Sequence, residues 1–428
     1  MKKAYLTILA LAATLPIMAQ MTLRDCLIYA RDHAHANRIS RLDVRKAEIE
    51  RTAAASGLMP RLAFSSNGNL SFGRNIDPET NTYDNRQTLS TSFGINLSLP
   101  LFDGLVSVYN LKAAKVAALR QASASRTEED QVSISVIRAF YNVSYCKAML
   151  EQTESQLRRD STDLSATRRA EALGTKSGAD VAEMEAIVAS DLYEHTNQRN
   201  LLLKAYLELK ALMGMEPTPE PIEIQDTRDA PATAARYKHP RLQEAEYALE
   251  QSRINLKAAK GAFFPMISLN GGISTSYYRM MGTETSFPGF RSQWRDNMGQ
   301  YLGLSFSLPL FTGLASTSRL KKAEAEFRQS RERLEQVRFD LEKETEGARL
   351  DHRAAADELE AARRRVAAEE SAYKAIRRKY ELGMSSAIDL YTSSAKLSQA
   401  KAGLEGKRIQ HIISGIMLGY CLGTPLID

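Results

Sequence analysis

The chain is written twice. LSLPLFDG (97–104) returns as FSLPLFTG (306–313), 209 residues further on, and at that same spacing Leu173, Gly174, Ser177 and Asp180 map onto Leu382, Gly383, Ser386 and Asp389. Met213 and Gly214 fall on Leu422 and Gly423, and a third pair, 58–62 and 263–267, sits near 205. A duplication of this length obliges both halves to build the same supersecondary unit. In each copy the order is helical stretch, proline, alternating segment, polar loop, alternating segment ending in LPLF, very long helix, LGxxSxxD, helix. The first repeat is expected over 20–214 and the second over 239–428, joined by a linker at 215–238 rich in Pro and Glu.

Lys2 and Lys3 precede a mainly apolar run that ends at Met18, followed by Ala19 and Gln20. That is a charged segment, an apolar segment too short to span, and a small residue at the cut, so 1–19 reads as an export signal. No later run approaches the eighteen apolar residues of a spanning helix, which excludes an inner-membrane bundle. Cys26 follows Arg24 and Asp25 rather than small residues, so lipid attachment is not expected.

The net charge of +6 does not point to nucleic acid, because Arg and Lys alternate with Glu along helical stretches, as in Arg363, Arg364 and Arg365 followed by Glu369 and Glu370. His33 and His35 form the one close histidine pair, and i,i+2 spacing turns them to different helix faces rather than toward one metal. No glycine-rich phosphate loop or paired-histidine zinc motif occurs, and no nucleophile has a recognisable base nearby. The sequence therefore implies no enzyme, no cofactor and no metal.

From Thr88 to Leu101 the apolar series Leu89, Phe93, Ile95, Leu97, Leu99 and Leu101, joined by Thr91, alternates with Thr88, Ser90, Ser92, Gly94, Asn96 and Ser98, with Pro100 expected to end it. Leu62, Phe64, Leu70 and Phe72 alternate with Ser65, Asn67, Asn69 and Ser71. In the second copy Ile267, Leu269 and Ile273, then Leu302, Leu304, Phe306 and Leu308, repeat the pattern. Period two predicts four strands, over 62–72, 87–99, 265–278 and 298–308. Each has about 9 to 13 residues, enough to cross a bilayer at a tilt. The polar series is small and uncharged, as for a wet lumen, and Phe72, Tyr83, Phe102, Tyr277, Tyr278, Trp294 and Phe311 at segment ends suit a membrane interface. Four strands cannot close, and an open edge in lipid leaves backbone groups unpaired, so the barrel must be shared between chains.

After Gly104 nothing breaks the helical pattern until Gly174. Val143, Leu150, Leu157 and Leu164 mark a heptad seam that reappears as His352, Leu359, Val366 and Tyr373. At 1.5 Å per residue each long helix reaches about 100 Å, too long for a compact domain. Gly174 and Gly383 stand where a left-handed residue ends a helix, and S-x-x-D (Ser177 to Asp180, Ser386 to Asp389) resembles a capping box that starts the next, giving hairpin tips at 173–177 and 382–386. The returning helix is about half as long as the descending one, and a helix from Thr22 to Gly57 supplies the other half. A periplasmic coiled-coil adaptor or scaffold would explain the hairpins but leaves the alternating strands without a role.

With its signal peptide, tandem repeat, LPLF-x-G corner and L-G-x-x-S-x-x-D tip, the chain resembles the TolC-like outer-membrane efflux proteins over nearly its whole mature length. The resemblance implies an α plus transmembrane-β fold: long helical hairpins forming a periplasmic tunnel, and four strands per chain contributing to a shared 12-stranded barrel. It further implies a homotrimer in outer-membrane lipid, docking by its tips onto a periplasmic adaptor and an inner-membrane transporter, as the exit duct of a tripartite efflux or type I secretion system. In such proteins the tips also close the tunnel through acidic residues and a Tyr–Asp contact, and Asp180, Asp389 and Tyr380 match those positions. Ser385 stands where some members carry a basic residue that ties neighbouring hairpins. Helix capping is the alternative role for both aspartates. The small residues around Gly174, Ser177, Gly383 and Ser386 suit docking with another hairpin, against the alternative of an ordinary solvated turn.

Counting helix rise places Cys26 and Cys421 at one height, about 50 Å below the membrane corner, and Cys146 nearer 70 Å. A Cys26–Cys421 disulfide and three buried reduced thiols are the two readings, since the periplasm permits oxidation.

Overall fold

The computed structural model describes residues 21–76, 81–225, 238–281 and 288–426. The expected export signal and linker positions 226–237 lie outside them. In chain order the helices are α1 (Leu23–His33), α2 (His35–Ser56), α3 (Val106–Ala172), α4 (Gly178–Met213), α5 (Pro240–Gly261), α6 (Phe290–Asp296), α7 (Ala315–Glu381) and α8 (Ala387–Cys421). The strands are β1 (Arg61–Ser71), β2 (Arg74–Ile76), β3 (Tyr83–Asn85), β4 (Thr88–Asp103), β5 (Met266–Met280) and β6 (Gly299–Ser307). The chain divides into two units, one of 43–122 with 244–335 and one of the remaining segments.

The first of these units is built on an antiparallel sheet in the order β1-β4-β5-β6. The four strands match the four alternating segments, and their registers repeat with the sequence. Advancing β1 by 205 and β4 by 209 turns the pair Phe64–Ile95 into Leu269–Leu304, which is also a pair. The junction between repeats is β4 against β5, with Leu97 opposite Gly271 and Ile95 opposite Ile273. Directly opposed residues share a face, so one face collects Leu62, Phe64, Ile95, Leu97, Ile273, Leu302, Leu304 and Phe306. Of these, Leu62, Phe64, Leu302, Leu304 and Phe306 are each more than two-thirds exposed in the single chain. The other face is a polar lattice: Asn96 Nδ2 donates to Ser65 Oγ (3.3 Å), the Tyr301 hydroxyl donates to Asn96 Oδ1 (3.2 Å), and Asn270 Nδ2 donates to Ser305 Oγ (3.0 Å).

Three features depart from the expectation. Pro100 does not end its strand; β4 continues to Asp103 with a register shift between Pro100 and Phe102. A bulge is where a residue without an N–H can sit inside a ladder. In the second copy β6 stops at Ser307, before Pro309, on an edge with no further strand. The loops also carry structure of their own, the small β2–β3 hairpin and α6.

At the LPLF-x-G corner, Gly104 takes φ 68° and Leu105 φ 64°, turning the end of β4 into the start of α3. A Cβ on Gly104 would run into the carbonyl oxygen of Gly261, and one on Gly261 would lie 2.6 Å from the carbonyl oxygen of Gly104. The two glycines thus let the corners on either side of the β4–β5 junction interlock backbone to backbone. Gly313, the repeat counterpart of Gly104, has nothing within 4 Å of a Cβ position.

The second unit is helical. Its core gathers Cys26, Val136, Phe140, Val143, Leu209, Met213, Ile416 and Tyr420. Of the expected heptad seam, Val143, Leu164 and Leu359 are buried, and Leu150, Leu157, His352, Val366 and Tyr373 are half-buried. The helix expected from Thr22 to Gly57 is broken at Ala34, which is extended (φ −57°, ψ 132°). Buried Asn37 donates from Nδ2 to the carbonyls of Ala30 and Arg31 (3.2 and 3.3 Å), replacing helix bonds lost there. The end of α4 presses on the same place: Gly214 (φ 76°) lies so close to the His33 carbonyl that a Cβ would collide with it. Met21 forms a parallel bridge with Ile224, so the first part of the linker is pinned beside the residue that leads into α1.

Of the two readings for the cysteines, the structure has the thiols unpaired. Cys26, Cys146 and Cys421 are all free. Cys26 and Cys421 do belong to one hydrophobic cluster, as equal height implies, but height along a helix does not fix the direction of the Cβ vectors that a disulfide requires. Burial pushes the Cys26 thiol up to about 12, so it stays protonated and unreactive.

Gly104→Ala is expected to destabilise the protein by about 2 kcal/mol or more, since it adds a left-handed β-carbon and a backbone overlap. Gly313→Ala adds only the backbone strain within one chain. Thermal unfolding of the purified variants in detergent, before and after dissociation of any oligomer, measures both.

Candidate functional site

The two hairpin tips are built by the same local chemistry. After α3, the Gly174 N–H donates to Glu171 O (2.8 Å) and the Thr175 N–H to Ala170 O (2.9 Å). After α7, Gly383 and Met384 make the matching bonds to Tyr380 O and Lys379 O (2.9 and 2.8 Å). Gly174 (φ 74°) and Gly383 (φ 73°) are the left-handed residues that close each Schellman turn, and a Cβ on either would meet nothing within 4 Å. Ser177 and Ser386 then cap α4 and α8, each accepting from the N–H of Asp180 or Asp389, whose carboxylates accept from the serine N–H in return. Hydrogen bonds from Ser177 backbone and side chain, with Lys176 adding to them, hold the Asp180 carboxyl below the usual range. Ser386 and then Ser385 do the same for Asp389. Ser385 Oγ donates to Asp389 Oδ2 (3.1 Å), so the residue at the position of a basic tie reinforces a cap.

The tips are joined within the chain by contacts the sequence reading did not foresee. Tyr380 packs with Tyr391 against Leu164, Met184, Ile187 and Ala387, a small apolar cluster that draws on α3, α4, α7 and α8. Lys176 places Nζ 4.9 Å from the centre of the Tyr380 ring and 3.9 Å from Asp180 Oδ1. The Tyr380 hydroxyl forms no hydrogen bond with Asp180 inside the chain, because Asp180 Oδ2 is committed to the cap and Lys176 stands beside Oδ1. Farther from the tip, Gln156 donates from Nε2 to Ser394 Oγ (2.8 Å), and Gln152 to Ser398 O (2.8 Å). Arg377 lies 3.9 Å from Asp163. Glutamines and one lysine on α3 and its turn thus tie the two hairpins, and a heptad reading passes over them because they flank the apolar seam.

One carboxyl group in this region is held in an unfavourable state. Asp191 faces Asp160, and its Oδ2 is buried without a hydrogen-bond partner. Burial first, then the Asp160 carboxylate, push Asp191 up to about 8, against an opposing pull from Arg159.

No helix among the described residues is long and apolar enough to cross a membrane, and no cluster of three or more metal-ligating side chains occurs among them. The sheet, by contrast, carries exposed leucine and phenylalanine side chains along one face. The family model for outer membrane efflux proteins matches 30–215 and 232–423, one match per repeat. The chain belongs to the outer membrane efflux protein family. It is 24% identical over 404 residues to the outer membrane protein TolC of Salmonella enteritidis, covering 90% of this chain and 80% of that one. It is 23% identical over 321 residues to the toluene efflux pump outer membrane protein TtgC of Pseudomonas putida, covering 71% and 63%. The crystal structure of the outer membrane protein VceC from Vibrio cholerae superimposes with a TM-score of 0.78 at 16% identity, over 94% of this chain and 96% of that one. Family membership fixes the location and the role: an exit channel for efflux in the outer membrane, with its helices in the periplasm. The family comprises transport proteins rather than enzymes, and it disposes of the coiled-coil scaffold alternative.

Asp191 gives a pH signature. Its folded-state value lies above the unfolded one, near 4, so the folded protein holds the proton more tightly. Stability is therefore lost as pH rises from about 4 through about 8, and the full cost is present above that. Asp191→Asn should melt higher than the parent at pH 9, match it near pH 4, and flatten the profile between. Thermal midpoints of both proteins across that range test this.

Proposed function

We propose that three copies close one barrel of twelve strands and one tunnel, forming the passive outer-membrane duct of a tripartite efflux pump. The observation that carries this is the pair of free edges, β1 and β6, on a sheet whose internal registers repeat. In lipid those edges would leave backbone groups unpaired at several kcal/mol each. The β4–β5 junction supplies the template for joining β6 to β1 of the next copy. Moving β4 forward by 209 and β5 back by 205 converts the pair Leu97–Gly271 into Phe306 opposite Ser66 of the neighbouring copy, and it sets Ser305 against Asn67. Small-molecule cargo is the favoured class, because relatives matching 71% of this chain are named for antibiotic and toluene efflux.

The register can be tested by cross-linking. A double variant Asn67→Cys/Ser305→Cys should oxidise to a covalent trimer in the membrane, whereas either single variant should remain monomeric on denaturing gels. Absence of trimer from the double variant, with a control pair one residue out of register cross-linking instead, would displace the proposed pairing.

The tips serve as the docking surface for a periplasmic adaptor carrying an inner-membrane transporter, and as the gate. Gly174 and Gly383 leave open space at the turn, which a second hairpin can approach closely, and a bulky residue at either position should abolish efflux while trimer assembly persists. For the gate, three copies of Asp180 and Asp389 around one axis concentrate negative charge, and three Lys176–Tyr380 contacts bias the closed arrangement. In planar bilayers Asp389→Ala should weaken cation selectivity. Lys176→Gln and Tyr380→Leu should raise the open fraction, and Tyr380→Phe, which keeps the ring, should not. If Tyr380→Phe opens the channel as far as Tyr380→Leu, the hydroxyl rather than the ring is the tie.

A further inference from the structure

The β5–β6 connection contains a site that transport itself does not use. Beyond Ser274, the last position of β5 paired with β6, the upper part of β5 has no strand on that side. There α6 takes over. The side-chain amide of Gln293 acts like a strand edge, accepting from the Tyr278 N–H (2.9 Å) and donating to the Tyr278 carbonyl (2.9 Å) and to Pro288 O (2.8 Å). Asn297 Nδ2 donates to Ser276 O (2.8 Å), and Thr275 Oγ1 to Trp294 O (2.7 Å). These bonds press Phe290 and Trp294 onto the apolar face of the sheet. Trp294 lies 4.9 Å from Phe93 and 5.5 Å from Phe290, and Phe290 lies 5.3 Å from Tyr277, measured between ring centres.

With 290, 293 and 294 turned to the sheet, Arg291 and Arg295 fall one turn apart on a single flank of α6, and both are exposed. Arg279, two positions beyond Tyr277 on the apolar face of β5, is exposed as well. The acidic residue on α6, Asp296, is engaged by Ser292 Oγ (2.8 Å) and by Arg295 Nε (3.0 Å). Three guanidinium groups therefore border a four-ring aromatic cluster, at the end of the strands away from α3 and α5. With the apolar face in lipid and the helices in the periplasm, that end lies at the headgroup depth of the outer leaflet.

We propose that Arg279, Arg291 and Arg295 bind the phosphate groups of a glycolipid in the outer leaflet, with Phe290 and Trp294 seated at its headgroup boundary. This rests on the membrane orientation given above. Guanidinium groups match phosphate oxygens in a bidentate fork, and aromatic rings prefer the interface, so one short helix presents both halves of a lipid anchor. The chemistry recognised is the phosphate monoester on a lipid, not the acyl chain.

Trp294 is the sole tryptophan of the chain, so its fluorescence reports on this patch alone. The full-length protein, purified in detergent, is titrated with bisphosphorylated lipid A and with its dephosphorylated counterpart of identical acyl chains. The expected result is a shift in Trp294 emission at about tenfold lower concentration of the phosphorylated lipid, a difference that vanishes in R291Q/R295Q and persists in R61Q, at the opposite end of the sheet. Equal titration of the parent by both lipids overturns the proposal, whether or not the variants fold. A double variant that loses oligomer stability yet still discriminates the phosphates assigns the arginines to a subunit contact and overturns it too. Conductance of the same preparations in planar bilayers stands apart: a conducting parent that ignores lipid phosphates leaves the channel intact and removes only the lipid site.

Discussion

The pairing of β4 with β5 is the interaction on which the rest of this architecture depends. It joins the last strand of one repeat to the first strand of the next, and among the described residues no other strand pairing crosses the duplication. Each repeat alone is a two-stranded ribbon, too small to hold a bilayer-length apolar face in place. Once β4 and β5 pair, the Gly104 and Gly261 corners interlock, and α3 and α5 leave the sheet in fixed directions. The same geometry, applied once more, supplies what the free edges lack. A duplicated gene product with an unfinished sheet therefore encodes both its internal junction and the pattern for joining its copies.

The two faces of the sheet answer to different solvents. Serine and asparagine side chains on one face hydrogen-bond to one another across strands, as in Asn96 with Ser65 and Asn270 with Ser305. That lattice needs no charged groups, which suits a conduit that must not trap its cargo. The leucines and phenylalanines on the other face remain bare in one chain because their partner is lipid. In the helical unit the seam is mainly apolar, interrupted at His352, whereas the ties between hairpins are polar and specific. Gln152 and Gln156 reach α8, and Lys176 reaches Tyr380. Polar ties of modest strength can be exchanged without opening a core, which is what the proposed opening at the tips would require.

Much of this was legible in the sequence. Period-two alternation located all four long strands because one face is mainly apolar along each of them, and the paired LGxxSxxD motifs located both tips because glycine and a capping serine are dictated by backbone geometry. Where tertiary contact overrode local pattern, the sequence was silent. Ala34 breaks a helix-favouring stretch because Gly214 and Asn37 act on it from 180 residues away and from the next turn. Pro100 continues a strand through a bulge that only the partner strand reveals. The helix at Phe290–Asp296 is too short to show periodicity, and its amide-to-strand bonds depend on where β6 happens to stop. Lys176 was passed over because a single lysine in a turn gives no signal until the Tyr380 ring lies beneath it.

Lys176 also makes the two tips unlike. At the equivalent place in the second repeat stands Ser385, which turns inward to Asp389 and offers no charge. Around a closed ring of three chains the six hairpin ends would then alternate between a capping aspartate faced by a lysine and a capping aspartate without one, although the two turns are built alike. Identical partner subunits approaching such a ring find two kinds of groove. They would bind either in threes, choosing one kind, or in six with two unequal affinities, and the stoichiometry of such an assembly would turn on one side chain per chain.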